Sequence, residues 1–581
     1  MERLRGADIV AEMLVRQGIE YIAGIPGHTV LDFVDALYER RDRISSIVTR
    51  NEETASYMAD AYYRVHHRPM AVMVHNSVGA ANALTGVMNA MIDSSAMIVI
   101  SGDVWTRSQG RGAFQELSAD RDAGTPDIFR GSVKRAWQVN KASKLPEVLL
   151  KAYKEAVTGK PGPVLIDITQ DAFAERIEVE LPDHPERWMP AHRPRGDAAA
   201  THGAADLLLG AERPAILAGG GTRLSEGTDA LVALAERMNI PVATTIMGKG
   251  SFPESHPLSM GISGWVGTGP ANQTTREADV LLALGCRFTE TDTAGWTQGS
   301  VFNIPPTKVI QVDIDPAEIA RYYPVEIGIV GDVRAVLNDL LAEVKEQLPA
   351  APDRAKWLGP LNAAKETWTS AVDEAATSSA VPIAPARLTR ELADALEDDA
   401  IVITDVGNSQ KWIVQQYPSV RPGTIVTSLG GAAMGFGPCG ALGARLAAPG
   451  RQVVVVTGDG SMSMSLHVLP TVVEYELPIV YIVANDYSYG SVKRPQDMRF
   501  GPGRNLFTIF EDRASRPYKL DFAAVAQAVG MAAERVTKPD DIGPALRRAL
   551  DARKPYLLDI EVERETYVPS GGGTFVLPPV E

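Results

Sequence analysis

Apolar runs four to eight residues long recur along the chain, each closed by a glycine-marked loop and followed by a stretch of helical periodicity. YIAGIPG, MAVMVHNS, AMIVISGD and GPVLIDI lie in the first third. PAILAGGG, IPVATTIMG, DVLLALGCRF and TKVIQVDIDP lie in the middle, and AIVITDVGN, QVVVVTGDG, PIVYIVAND and YLLDIEVE in the last third. Runs this short and this apolar suit parallel strands buried on both faces and joined by crossover helices. Proline-rich polar stretches at 180–198 and 346–388 read as breaks between units. The pattern predicts an α/β protein of three successive doubly wound parallel-sheet domains, near 1–180, 200–345 and 386–565. A tail at 566–581, VPSGGGTFVLPPVE in its last fourteen positions, is either a frayed end or a segment that folds over a site.

Length agrees, since 581 residues are too many for one core. A net charge of −15 speaks against a nucleic-acid or anionic-membrane partner. Cys286 and Cys439 both sit in apolar context, which predicts a reducing compartment and no disulfide framework. The N-terminus reads as the start of an amphipathic helix rather than a signal peptide, and no window of eighteen residues is wholly apolar. A cytoplasmic protein is expected.

The chemistry concentrates where two of these runs stop. VVVVTGDGS ends its strand at Asp459 between two glycines, and PIVYIVAND ends at Asn485. Ligands of open α/β sheets bind beyond the carboxyl ends of the strands. Oxygen donors there favour a hard cation, Mg²⁺ or Ca²⁺. GSMSMSLHVLPTVVEYE reads as a helix whose N-terminal amides favour an anion such as phosphate. The spacing asks for a metal bridging a diphosphate.

This stretch resembles the thiamine-diphosphate motif of the thiamine-diphosphate-dependent enzymes. The likeness extends over nearly the whole chain, in the acetolactate synthase-like arrangement of pyrimidine-binding, central and diphosphate-binding domains. It implies thiamine diphosphate and Mg²⁺ as cofactors, with the metal held by Asp459, Asn485 and the carbonyl of Tyr487. TDVGNSQKW is similar to the phosphate-contacting loop, which nominates Gly407, Asn408 and Ser409, with Gly460 and Ser461 beside the metal. SLGGAAMGFG resembles the turn under the aminopyrimidine, with the Ala432 carbonyl as acceptor. Met434 is then the residue that bends the cofactor, or else core packing, the usual fate of a methionine. VTRNEETASYM resembles the segment carrying the acid that protonates the pyrimidine, here Glu52; Glu53 reads as a first-turn carboxylate facing the helix dipole. The family places that glutamate and the diphosphate on different subunits, which implies a homodimer at least and a homotetramer by analogy.

Three further positions resemble those facing the reactive carbon: His28, His75 and Gln115. A lone histidine is more often structural, but two at matching loop positions suit acid–base work on a substrate carbonyl. Ser491, Val492 and Lys493 resemble a pocket wall, Lys493 being either a carboxylate ligand or a surface lysine. The likeness implies cleavage or formation of the carbon–carbon bond next to the carbonyl of a 2-oxo acid or 1,2-diketone. The two histidines depart from biosynthetic synthases and resemble cyclic 1,2-diketone hydrolases. A 2-hydroxyacyl-CoA lyase and a catalytically silent cofactor-binding paralogue are the alternatives. FAD or ADP in the central domain is not predicted, because MGISGWVGTGPANQTT and GCRFTETDTAGW match flavin-contacting stretches poorly, and Gly219–Gly220–Gly221 serves equally as a tight βα loop.

Overall fold

A computed structural model describes residues 2–572. Glu2–Arg5 (β1) opens the chain as a strand, with the predicted helix beginning only at Gly6. The first sheet holds Tyr21–Gly24 (β2), Ser45–Val48 (β3), Met70–His75 (β4), Met97–Asp103 (β5), Arg135–Val139 (β6) and Val164–Thr169 (β7). Its order is β3-β2-β4-β5-β7-β6, every pair parallel. Arg176–Val179 (β8) returns antiparallel to β1.

The second sheet holds Pro214–Ala218 (β9), Val242–Thr244 (β10), Ser259–Ile262 (β11), Val280–Leu284 (β12), Lys308–Asp313 (β13) and Ile327–Val330 (β14), ordered β11-β10-β9-β12-β13-β14. The third holds Ile401–Thr404 (β15), Ile425–Val426 (β16), Val453–Gly458 (β17), Val480–Asn485 (β18), Ala532–Val536 (β19) and Tyr556–Glu561 (β20), ordered β16-β15-β17-β18-β20-β19. The three α/β domains are thus as expected. The first and third sheets share one topology, with the strand order reversing between β2 and β4 and between β15 and β17. Such a reversal leaves a crevice at the carboxyl ends of the flanking strands.

By compactness the chain divides into two units: 1–192 with 430–450 and 464–479, and 193–429 with 451–463 and 480–581. In the first, the helix Glu52–His66 is buried along most of its length between the helices Asn76–Ile92 and Phe436–Ala447. Glycines permit the contact: a methyl on Gly443 would stand 1.9 Å from the Met58 carbonyl oxygen, and one on Gly86 2.2 Å from Ser56 Oγ. Arg64 anchors the far end, bonded to Asp60 (2.7 Å) and Asp93 (3.0 Å), while Asn89 also donates to Asp60.

Two expectations are corrected. The stretch 346–388 is no bare linker, since it contains the helix Ala355–Ala376 with Trp357 and Leu361 buried. The helix read through GSMSMSLHVLPTVVEYE is two, Asp459–Met464 and Val468–Glu474. Pro470 explains the break, because in one continuous helix its ring would clash with the Leu466 carbonyl. Of the tail, only residues up to Gly572 are described, and positions 573–581 lie outside the described residues. The Pro569 and Gly571 carbonyls accept from Gln415 (2.9 Å) and Asn272 (3.1 Å).

Candidate active site

In the first unit, β2 and β4 deliver the loops that flank the strand-order reversal. Gly27 precedes His28, and a methyl there would fall 2.1 Å from His75 Cγ, so glycine is what lets the His75 ring lie against this backbone. His28 is exposed, its ring centroid 6.1 Å from that of His75 and 6.4 Å from that of Phe114. Asn76 and Ser77, at the start of the next helix, bond the Phe114 and Gln115 carbonyls (3.3 and 2.6 Å). They draw Gln115, whose φ is +59°, to His75. The Gln115 Oε1 is buried and closes no hydrogen bond of ordinary geometry.

Thr29 decides the state of His75. Its hydroxyl lies 2.7 Å from the Gly102 carbonyl oxygen and 2.7 Å from His75 Nδ1. A carbonyl only accepts, so the single hydroxyl proton goes to Gly102, and Nδ1 must be the donor toward Thr29. The Thr29 N–H also points at Nδ1 at 3.4 Å, a contact in which Nδ1 would be the acceptor, but the 2.7 Å hydroxyl contact is much the shorter and decides the tautomer. The imidazole therefore holds its proton on Nδ1 and offers the Nε2 lone pair. Burial lowers the His75 pKa, offset in part by the Gln115 carboxamide, with His28 lowering it further and Glu52 raising it. His75 is thus biased to the neutral, proton-accepting form.

Glu52 is the first residue of its helix, which Asn51 caps by accepting from the Glu53 N–H (2.9 Å). The side chain is buried at 7% exposure, and Asn82 donates to its Oε2 (3.0 Å). A methyl on Gly79 would stand 3.0 Å from Oε1, so that glycine keeps the acid's flank clear. Glu53 is not part of this contact; burial raises its pKa and a hydrogen bond with Tyr57 opposes the rise. The turn carrying Ala432 and Met434 belongs to the same unit. Ala432 takes φ +45°, Met434 is half-buried rather than core, and its carbonyl accepts from Tyr57 at 3.4 Å.

In the second unit, β15 and β17 flank the other reversal. Gly407 follows β15 with φ +131°, a conformation open to glycine, and leads into the helix Asn408–Gln416. The Ser409 hydroxyl is buried without a partner. Asp459 follows β17, its Oδ1 accepting from the Gly460 N–H (3.0 Å), with the Tyr487 backbone N–H bonded to the same carboxylate. Its Oδ2 is buried with no partner. Burial, with Asp486 second, raises the Asp459 pKa well above the carboxylate range. Asn485 ends β18. Its Nδ2 donates to Asp559 (2.9 Å) and to the Leu520 carbonyl (3.2 Å), which fixes the amide and leaves Oδ1 as a buried acceptor without a donor. Tyr487 sits at φ +57°, its carbonyl accepting from Phe510 N–H (3.0 Å) with one lone pair still free. Gly460 accommodates the Tyr489 ring, 2.4 Å from where a methyl would stand, and Ser461 is buried beside it.

Buried oxygens that no N–H or O–H satisfies are uncommon in a folded chain. Two such acceptors at adjacent strand ends, beside a backbone carbonyl, suit a hard cation. The residues present fit Mg²⁺ and the diphosphate it would hold.

The wall residues are less uniform. Ser491 bonds Lys411 (3.0 Å), and Val492 is 55% exposed. Lys493 is corrected as a carboxylate ligand: its ammonium is already taken by Asp497 (2.7 Å) and Glu565 (2.9 Å). Thr29, Asn82 and Asp559 were not among the residues the sequence singled out. Asp559 had a signal, a lone acid inside the apolar strand YLLDI.

Comparison with known proteins bears on this arrangement. Residues 4–123 match the thiamine pyrophosphate enzyme N-terminal TPP binding domain, 201–340 the central domain, and 405–560 the C-terminal TPP binding domain. A probable acetolactate synthase large subunit of Methanocaldococcus jannaschii is 35% identical, covering 98% of this chain and 94% of its own length. The acetolactate synthase large subunit of Haemophilus influenzae is 34% identical over 98% and 96% of the two chains. The acetolactate synthase isozyme 3 large subunit of Escherichia coli is 32% identical over the same shares.

Proposed function

Because the chain belongs to the thiamine pyrophosphate enzymes, among the acetolactate synthase-like members, we propose that it makes or breaks the carbon–carbon bond next to the carbonyl of a 2-oxo acid, with thiamine diphosphate and Mg²⁺ as cofactors. The observation that carries the metal is the pair of partnerless buried oxygens, Asp459 Oδ2 and Asn485 Oδ1. Thiamine diphosphate, when bound, supplies the electron sink for cleavage beside a carbonyl. Glu52 holds the activating proton, oriented by Asn82. Asp459, Asn485 and the Tyr487 carbonyl hold Mg²⁺, and Gly407, Asn408, Ser409, Gly460 and Ser461 receive the diphosphate. Ala432 and Met434 take the pyrimidine. His75, neutral, is placed to accept a proton from a hydroxyl or water next to the substrate carbonyl, and Gln115 and His28 lie beside it. Domains at 1–180, 200–345 and 386–565, a homodimer or homotetramer and a cytoplasmic location complete the proposal. Among the described residues no helix is long and apolar enough to cross a membrane.

The relatives' names favour acetolactate synthase over a CoA lyase or a silent paralogue. The His28–His75 pair favours one second reading, hydrolysis of a 1,2-diketone. The test is to supply the full-length protein with Mg²⁺, thiamine diphosphate and pyruvate, and to follow CO₂ and acetolactate with Glu52→Gln alongside. Acetolactate that the variant fails to make supports the proposal. Loss of the diketone 1,2-cyclohexanedione with no use of pyruvate would replace it by the second reading.

A further inference from the structure

Some buried cations of this chain bond backbone carbonyls, as Arg223 does to Ile425 and Arg354 to Met238, and others meet carboxylates. Arg64 lies between Asp60 and Asp93, Lys249 on Glu254, and Lys493 between Asp497 and Glu565. Lys411 does neither among the described residues. It lies in the helix Asn408–Gln416 of the second unit, largely withdrawn from solvent. Its ammonium reaches Ser491 Oγ (3.0 Å), more distantly Asn408 Oδ1 (3.3 Å), and stands 5.1 Å from the Trp265 ring centroid. These are neutral partners for a group with three donors.

Nor is its neighbour compensated. Arg494 lies three residues after Ser491 in the helix Gly490–Phe500, a spacing that puts both on one face. The guanidinium stacks 4.3 Å from the Tyr567 ring centroid, and neither it nor Lys411 has an ion pair among the described residues. Burial first, then the charge of Arg494, pushes the Lys411 pKa down to about 8. The Tyr567 hydroxyl is buried without a partner in the same neighbourhood. The carboxylates that act on Tyr567, Glu565 and Asp497, are bonded by Lys493, so Lys411 and Arg494 keep like charges close together with no carboxylate of their own, an arrangement that favours an incoming anion.

We propose that Lys411 and Arg494 bind the carboxylate of the substrate, with the Tyr567 hydroxyl as a further donor, so that a 2-oxo acid rather than a neutral diketone is the substrate class. The inference deepens the reading of the preceding section and rests on it. A planar carboxylate matches the guanidinium fork and the ammonium point charge. The cofactor's diphosphate is the less suitable occupant. Ser409, whose Oγ is 4.0 Å from the position of a methyl on Gly458, faces the metal loop. Lys411, two residues on and so on another face of the helix, turns instead to Ser491 on the wall.

The experiment uses the full-length protein with Mg²⁺ and thiamine diphosphate, as wild type, Lys411→Met and Arg494→Gln. Calorimetric titration with oxamate, a carboxylate-bearing pyruvate mimic, gives Kd, and kinetics with pyruvate give KM. Each variant should weaken oxamate and raise KM about tenfold or more, while affinity for thiamine diphosphate stays within about twofold. Unchanged oxamate affinity in both variants would overturn the proposal. So would weakening of thiamine diphosphate with oxamate unaffected, which would assign the cations to the diphosphate. Exchange of the thiazolium C2 proton in the wild type checks the underlying reading separately. Exchange without oxamate binding sinks only this inference, and no exchange sinks both.

Discussion

Replacing Thr29 by valine removes a hydroxyl and almost nothing else. The side chain is 5% exposed, and valine fills nearly the same volume, so the cavity contribution is small. Two contacts of 2.7 Å are lost, to the Gly102 carbonyl and to His75 Nδ1. A buried polar group left unpaired costs about 1–3 kcal/mol, so the stability loss should fall near 2 kcal/mol. The catalytic effect has a different origin. With no acceptor at Nδ1, the proton is free to move to Nε2, the atom meant to accept at the substrate. Losing one orienting hydrogen bond worth about 1.4–2.7 kcal/mol in the transition state lowers kcat about 10- to 100-fold. KM should change little, because Thr29 is not assigned to substrate. The assay pairs turnover with ¹⁵N NMR of the His75 ring, which distinguishes the tautomers directly. Thr29→Ser should restore both. A valine variant with wild-type kcat and an unaltered Nδ1–H spectrum would refute the reasoning.

Other consequences follow from single contacts. Asp559→Leu removes the shorter of the two bonds that orient the Asn485 amide, and Mg²⁺ affinity should fall about 10- to 100-fold in a calorimetric titration although no proposed ligand is changed. Gly443→Ala forces a methyl against the Met58 carbonyl and should cost at least about 1–3 kcal/mol, read as a lower Tm with helix content retained. Asp167 is buried beside Asp103, near Arg121 and Gln138, and burial followed by the Asp103 charge pushes its pKa up to about 8. The unfolded carboxyl ionises near 3.8, so between the two values the folded chain binds the extra proton and stability falls as pH rises, by up to about 1.4 kcal/mol per unit. Asp167→Asn should flatten that slope in Tm measured from pH 5 to 8, and an equally steep slope in the variant would exclude Asp167 as its source.

What the sequence revealed of the fold has a physical boundary. In each sheet the four inner strands were legible as apolar runs, because parallel strands covered on both faces need apolar residues at every position. The edge strands β3, β6, β11, β14, β16 and β19 were not. Ser45–Val48, Arg135–Val139 and Ile327–Val330 are half-exposed and too short or too mixed in character to stand out as apolar runs, and β16 is only two residues long. The helix Ala355–Ala376 was hidden by its proline-rich approach and by an apolar stripe that buries little beyond Trp357 and Leu361. At the candidate site, Asp459 and Asn485 were visible as polar residues terminating apolar strands. The orienting residues were not, since Thr29 and Asn82 act through side-chain geometry that only the folded chain defines. Lys493 and Lys411 show the same limit. Lys493 reads in sequence as a carboxylate ligand or a surface lysine and Lys411 was not singled out, and only their neighbours show which one is already paired.

The most direct test of the central claim is the rate of hydrogen–deuterium exchange at the thiazolium C2 of added thiamine diphosphate, in the presence of Mg²⁺, for the wild type and Glu52→Gln. Exchange reports cofactor activation without requiring the substrate to be known. Exchange should be fast in the wild type and fall about 10²- to 10⁴-fold in the variant, the range for loss of a positioned acid–base group. Equal rates in the two proteins would contradict the assignment of Glu52, and exchange no faster than in free solution would contradict the claim that this chain activates thiamine diphosphate at all.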